Sequence, residues 1–285
     1  MTIMPSRERI RHPGPAAEQR HAYVRGHAYS VRFQFEAGQT VAAAVAQGMN
    51  ENGIDSAAVV LDGLLLSSGS YVTPAGQRDA RHVAWYSDQM SFGQTQLKHG
   101  TAMVGRKEGE WFLHCHAVWH DKSNDIHEGH MLCDHLVIAE DCDVEVMAFV
   151  GGGLEATLDT ETNFTLFRTV ERQRPNNTAL NAALLTIRPH EDLRRTIDMV
   201  VSELAIHNAR LFGLGSIIGA QFYDAAPMES ALSEILLRAD ARIENGKCSF
   251  LPVICVDDHL DIFSGDLKRD GGEILMTAEL LMVSV

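Results

Sequence analysis

Apolar positions recur along this chain in two periods. Within Val24–Phe35 the segment YSVRFQF alternates, with Tyr29, Val31, Phe33 and Phe35 on one side and Ser30, Arg32 and Gln34 on the other. A period of two is that of a half-buried strand. Gln39–Met49 carries alanine and valine at helical spacing, and Gly53 supplies a stop. Ala57–Leu61 is a short continuous apolar run of the kind a buried strand makes. Further strands are predicted at Glu110–Val118, His135–Ala139 and Val144–Val150. Pro175–Asn177 reads as a linker, and after it the order starts again. Strands are predicted at Ala182–Ile187, Leu211–Leu214, Ser249–Val256 and Ile274–Val283, with a helix over Leu193–Leu204.

The recurrence holds residue by residue. The segment from Glu36 aligns without a gap on the segment from Arg188, with Ile54 on Ile206, Ala57 on Ala209, Val59 on Leu211 and Gly63 on Gly215, an offset of about 152 residues. Further on, Phe112 falls on Phe250, Gly129 on Gly265 and Ala139-Glu140 on Ala278-Glu279. The expected fold class is therefore α+β: two tandem copies of a mainly antiparallel sheet with a helix packed on one face. One helix to several strands favours antiparallel pairing, because each parallel crossover consumes a helix or a comparable length of chain. The expected domains are an N-terminal arm over 1–20, a first unit over 21–168 and a second over 180–285.

Composition narrows the setting. The chain has 285 residues, 45% of them apolar, enough for a substantial core. No uninterrupted apolar run reaches the ~18 residues a membrane helix needs. The start, MTIMPSRERIRHPGP, has arginines but no apolar segment behind them, unlike a secretory signal. Five cysteines without framework spacing suit a reducing compartment. Together these point to the cytoplasm and away from the membrane. A formal net charge of −14 repels phosphate backbones, and the densest basic pair is only Arg194-Arg195. Nucleic acid is therefore not the expected partner. The glycine-rich strings Gly151–Gly153 and Gly213–Gly219 lack the spacing of a phosphate-binding loop and read as a connection and a turn.

Candidate chemistry gathers in FLHCHAVWHDKSNDIHEGH, Phe112–His130, which holds five of the fourteen histidines. His114 and His116 on a strand share one face, roughly 6.5–7 Å apart at Cα. Two imidazoles so placed can converge on one ion, and His130, from a loop returning beside the strand, supplies a third. Three histidines leave a fourth position for water, the pattern of a catalytic zinc site; as isolated residues, His114 and His116 would read as ordinary strand histidines. In the second copy Pro252, Ile254 and Asp266 align with His114, His116 and His130, so one such site per chain is expected. Glu128 and His120 are candidate catalytic groups, Glu128 as a general base on a metal-bound water. Asp121 and His127 lie in the same loop, Cys133 is a spare ligand, and Cys115 points to the opposite face. His12 and Arg9 belong to an arm that reaches toward the pocket, and Arg32 and Arg188 are candidate carboxylate binders.

LHCH at Leu113–His116 followed by EGH at Glu128–His130 resembles the "lHxH … GGH" motif of the plant and prokaryote conserved (PPC) domain, whose plant members carry AT-hooks. HGTAMVGRKEGE resembles the stretch before that motif, and RHPGP, Arg11–Pro15, resembles the opening of a bacterial subgroup with two such domains. Glu128 departs from the family's first glycine. The resemblance implies His114, His116 and His130 as the set for zinc or another divalent transition metal, and a homo-oligomer with a trimer favoured. Two function classes follow. One is a metal-dependent enzyme or binder, of hydrolase or lyase type, acting on a small carboxylate-bearing metabolite. The other is a DNA-binding or regulatory protein like the AT-hook members, although RHPGP lacks the paired arginines of that arm.

Overall fold

The computed structural model describes residues 10–173 and 178–285. The linker expected at Pro175–Asn177 and the arm residue Arg9 lie outside the described residues. The first half holds β1 (His21–Phe35), α1 (Val41–Asn52), β2 (Ser56–Val60), β3 (Leu65–Val72), β4 (Thr95–Lys107), β5 (Glu110–His120), β6 (Ile126–Met131), β7 (Cys142–Val150), β8 (Gly152–Leu158) and β9 (Thr165–Glu171). The second holds β10 (Ala182–Ile187), α2 (Leu193–Glu203), β11 (Ala209–Ile218), β12 (Ser233–Leu237), β13 (Pro252–Asp257), β14 (Ile262–Asp266) and β15 (Glu273–Ser284). The fold is α+β and mainly antiparallel; among the described residues the single parallel bridge joins Glu155 to Arg106.

The same strand order occurs twice. The first sheet runs β1–β7–β2–β4–β5–β6. The second runs β10–β15–β11–β12–β13–β14. The helices begin at matching positions: Thr40 caps α1 by accepting from the Ala43 amide, and Asp192 caps α2 by accepting from that of Arg195. Each cap oxygen satisfies one of the four amides that a helix start leaves unpaired. Gly53 ends α1 in the left-handed conformation at φ 60°, where a side chain would be strained. The sheets are also joined directly. His27–Phe35 of β1 pairs with β7, and His21–Gly26 of the same strand pairs with β10.

Alternation along the strands sorts the side chains into three large cores. One face of the first sheet packs on α1 through residues such as Phe33, Val45, Met49, Cys115 and Trp119. The second sheet packs on α2 through Leu185, Ile197, Val201 and Leu280. The remaining faces meet each other, with Met103, Val118, Met147 and Phe149 against Phe212, Leu214, Leu236 and Leu281. The helices therefore lie outside and two sheets lie inside, face to face. His114 and His116 share the parity of Val118 and so belong to the inner face.

Several predicted elements differ. His135–Ala139 is not a full strand: a 3-10 turn covers Cys133–His135, and only Val137–Ile138 pairs. Its backbone is spent on the approach to α1, where the Val41 amide bonds the Leu136 carbonyl and the Ile138 amide bonds that of Gln39. Ser249–Val256 is broken at Leu251, because Pro252 has no amide to continue a ladder and opens β13 instead. The segment before His130 is not a loop but β6, a hairpin partner of β5. Gly151–Gly153 leads into the hairpin β8–β9 rather than a plain connection. Gly63 sits in a turn at φ 81°, whereas Gly215 lies within β11 opposite Ala278, so the two are not one shared turn. There a Cβ would come within 2.4 Å of the Thr277 carbonyl oxygen. The ladder also corrects one aligned pair. His116 faces His130, and the residue facing Asp266 is Pro252, not Ile254. Among the described residues no helix is long and apolar enough to cross a membrane.

Candidate metal centre

β5 presents His114 and His116 on its inner face, and the β5–β6 ladder sets His130 directly across from His116. The close approach of β3 to β6 requires Gly129: a Cβ there would lie 2.8 Å from the Tyr71 ring and 2.9 Å from the Val72 carbonyl oxygen. Glu128, one residue earlier, is accommodated in the strand without reshaping it. The second sheet completes the cluster. β12 contributes Glu234, and ligand atoms of His114, His116, His130 and Glu234 all lie within 4.8 Å of one another. The group that could hold an ion thus joins Glu234 from the second half to the three histidines expected from the first.

The rings are oriented by their outer nitrogens. His114 Nδ1 is 2.9 Å from Glu279 Oε2 on β15, and His116 Nδ1 is 2.8 Å from the Ile235 carbonyl oxygen. Both partners are acceptors, so each Nδ1 carries the proton, and in a neutral ring each Nε2 is a bare lone pair. Those two Nε2 atoms face each other at 3.1 Å. Glu234 Oε2 stands against His116 Nε2 and 3.7 Å from His130 Nδ1, yet it makes no hydrogen bond of acceptable geometry. Lone pairs aimed at one another inside a protein repel unless a cation stands among them. Donors around a tetrahedral zinc with bonds of about 2.0–2.1 Å are roughly 3.3 Å apart, close to the 3.1 Å between the two Nε2 atoms.

Electrostatics reinforce the pattern. Burial alone would raise the Glu234 pKa; with His116 and His130 protonated, their charge outweighs it and holds the carboxyl far below the usual range. Burial dominates at His130 and lowers it to about 4. Burial also opposes charge on His114, but Glu279 overrides it and the pKa is raised. Tyr86, whose hydroxyl lies 3.4 Å from His130 Nδ1, is raised well above the phenol value by burial, then by Glu234 and Glu279. It therefore remains a proton donor. A cavity of about 400 Å³ opens on this cluster and is lined by His114, His130, Glu234, Tyr86 and several aromatic side chains.

The other candidates stand elsewhere. Glu128 is 1% exposed, neither oxygen has a hydrogen-bond partner among the described residues, and burial raises its pKa well above the carboxylate range. A neutral acid off the cavity wall is not placed to act as a base on a bound water. His120 bonds Asn124 at the open end of β5, and His127 pairs with Asp121, so none of the three enters the cluster. Cys115 and Cys133 are buried in the core beneath α1, not at the ligands. Arg188 pairs with Asp159 and Glu161, and Arg32 lines a separate cavity of about 500 Å³. His12 packs edge-on against His190. Sequence reading missed Glu234, Glu279 and Tyr86. A glutamate inside the apolar runs SEILL and MTAELLMV is itself a signal, because a lone buried acid needs a partner.

No family model matches the chain, and no curated protein matches it. Solved structures do. The chain is similar to a metal-containing protein from Archaeoglobus fulgidus at 18% identity, covering 52% of this chain and 96% of that one, with a TM-score of 0.40. It is similar to a PPC protein from Pyrococcus horikoshii at 16% identity, covering 53% and 97%, with a TM-score of 0.40. A candidate DNA-binding protein from Ralstonia eutropha JMP134 is similar at 20% identity, covering 49% and 90%, with a TM-score of 0.39.

The His130 shift has a stability consequence. Its folded pKa of about 4 lies below the ordinary 6.5, so between those values the unfolded chain binds more protons than the folded one. The contribution is complete above about 6.5 and is lost as the pH falls toward 4. Glu234 acts in the same sense and His114 in the opposite one, so the comparison is made by substitution. In metal-free protein, His130→Gln is expected to flatten the fall of the urea midpoint between about pH 6.5 and about 4.5. The exposed His259→Gln is expected to leave that fall unchanged; identical profiles for all three proteins would refute the assignment.

Proposed function

We propose that this chain is a metal-dependent enzyme or binder in which His114, His116, His130 and Glu234 hold one divalent transition ion, with zinc favoured, at the floor of a small-molecule cavity. The observation that carries this reading is the pair of facing Nε2 atoms, 3.1 Å apart, whose Nδ1 partners are already committed to Glu279 and Ile235. Three imidazoles and one carboxylate suit zinc and its neighbours in the first transition row. Bound there, the ion would polarise a carbonyl or carboxylate oxygen or activate water, the chemistry of a hydrolase or lyase. Glu279 fixes the tautomer of His114 and raises its basicity as a ligand. Tyr86 holds its proton within reach of His130, and a ligand oxygen that reaches the cluster through the cavity would meet that hydroxyl. Proton delivery is thus assigned to Tyr86 rather than to Glu128 or His120. The ligand is a small carboxylate-bearing metabolite whose carboxylate is met by the ion, since Arg32 and Arg188 are engaged or distant. Free cysteines at all five positions support a cytoplasmic setting.

Elemental analysis of purified protein is expected to find about one equivalent of metal per chain, because each chain builds the set once. His116→Ala and Glu234→Gln are expected to remove it, and Glu279→Gln to weaken binding about tenfold or more while leaving the four ligands in place. Full metal content in Glu234→Gln would refute the four-residue set.

Nucleic-acid binding is the competing reading, and the net charge of −14 argues against it. A gel shift at low salt is expected to show no tight complex; a tight, salt-sensitive one would reverse the order of the two readings.

The resemblance to PPC domains supports a homo-oligomer, a trimer for preference. Light scattering at micromolar concentration is expected to give a multiple of the chain mass, and a monomer alone would remove the proposal.

A further inference from the structure

The cavity above the cluster has walls of uneven chemistry, and several polar side chains away from the cluster are already engaged. Ser233 donates to the Ile217 carbonyl, Thr277 donates to Glu279, and Ser216 accepts from the Met276 amide. Asn163 donates to the Arg81 carbonyl. Most of what remains facing the space is apolar, Trp85, Phe112, Phe164, Phe167, Leu275 and Met276, with Thr165 at the exposed edge. Among the described residues no lysine or arginine lines it. Arg168, in the middle of β9, and Arg188, directly after β10, are both held by Asp159. Phe112 and Phe167 meet edge to face with centroids 5.6 Å apart, and Phe164 lies 5.3 Å from Trp85. Such rings offer edges and faces to a further ring between them.

Two carboxylates, Glu234 and Glu279, lie at the floor, so a second negative charge on a ligand would meet no cation away from the ion site. Removing such a charge from water without a partner is strongly unfavourable. A volume of about 400 Å³ lies at the lower end of the range for small-molecule sites and suits a compact body.

We propose that this site selects a compact ligand with an uncharged, apolar and preferably aromatic body and a single oxygen-bearing head that reaches the histidine–glutamate cluster; di-acids, phosphate esters and sugar acids are rejected. This rests on the metal reading above and deepens it. The selection resides in the walls, so it is measured as a ratio between two ligands that share one head.

The test uses the full chain supplied with zinc, and titration calorimetry with acetohydroxamate, benzohydroxamate and 4-carboxybenzohydroxamate. Benzohydroxamate is expected to bind at least tenfold tighter than acetohydroxamate, a gain in line with burial of one ring. The added carboxylate is expected to remove most of that gain. Phe164→Ala is expected to lower the phenyl-to-methyl ratio with zinc content, measured in parallel, unchanged. A ratio near one, or tighter binding of the carboxylated ring, overturns the proposal whatever the metal content. Loss of zinc with the ratio preserved would instead count against the metal reading alone.

Discussion

The inner faces of the two sheets must exclude water, and in the middle of that dry interface the chain sets three imidazoles and a glutamate. Everything about the centre follows from reconciling these two facts. Leu214, Leu236 and Leu281 close one side and Met103, Val118 and Met147 the other, so solvent reaches the polar atoms only from the cavity and His116 has none. Each must find a partner within the protein or from an ion. Glu279 and the Ile235 carbonyl absorb the outer nitrogens of His114 and His116. The inner atoms of the rings and Glu234 are left to one another, in an arrangement that could hold a metal ion.

This arrangement also explains why the second half lacks histidines at these positions yet is not a bystander. Pro252 and Asp266 occupy the ladder positions that answer to His116 and His130. The first sheet supplies the imidazoles and the second the carboxylates, Glu234 from β12 and Glu279 from β15. A unit folded alone would carry either rings without an acid or acids without rings. Aromatic residues from both sides of the first half, Phe112 on β5 and Phe167 on β9, then roof the space that the carboxylates floor.

Much of this is legible in the sequence. Strict alternation in YSVRFQF and helical spacing before Gly53 and before Leu204 mark β1, α1 and α2, because one face of each is buried and the other wet. The ungapped offset that joins Thr40 to Asp192 survives as two equivalent helix caps. The histidine motif is equally plain, since the β5–β6 ladder is local. What escapes is whatever depends on sheet-to-sheet packing. β12 is buried along its whole length, so SEILL has no alternation to show which face Glu234 takes, and its place in an apolar run marks it as needing a partner without naming one. Glu279 sits in view within an apolar run, but its partner lies 165 residues away in sequence. Tyr86 arrives on the short bridge pairing Trp85–Tyr86 with Pro74–Ala75, too brief for any periodicity.

β1 also has a mechanical role. Because it pairs with β7 along one stretch and with β10 along the other, both sheets hang from the same backbone. A fragment cut between the halves would leave either β10 with an open flank or β1 with an unmatched end. Such bare edges recruit other chains, so isolated halves are candidates for aggregation rather than for independent folding. The shared strand acts as a hinge pin whose sliding is forbidden: a shift by one residue would turn its buried side chains outward in both sheets at once. Where the two sheets meet along β1, their relation is thereby set by backbone pairing as well as by the softer contacts of the interface.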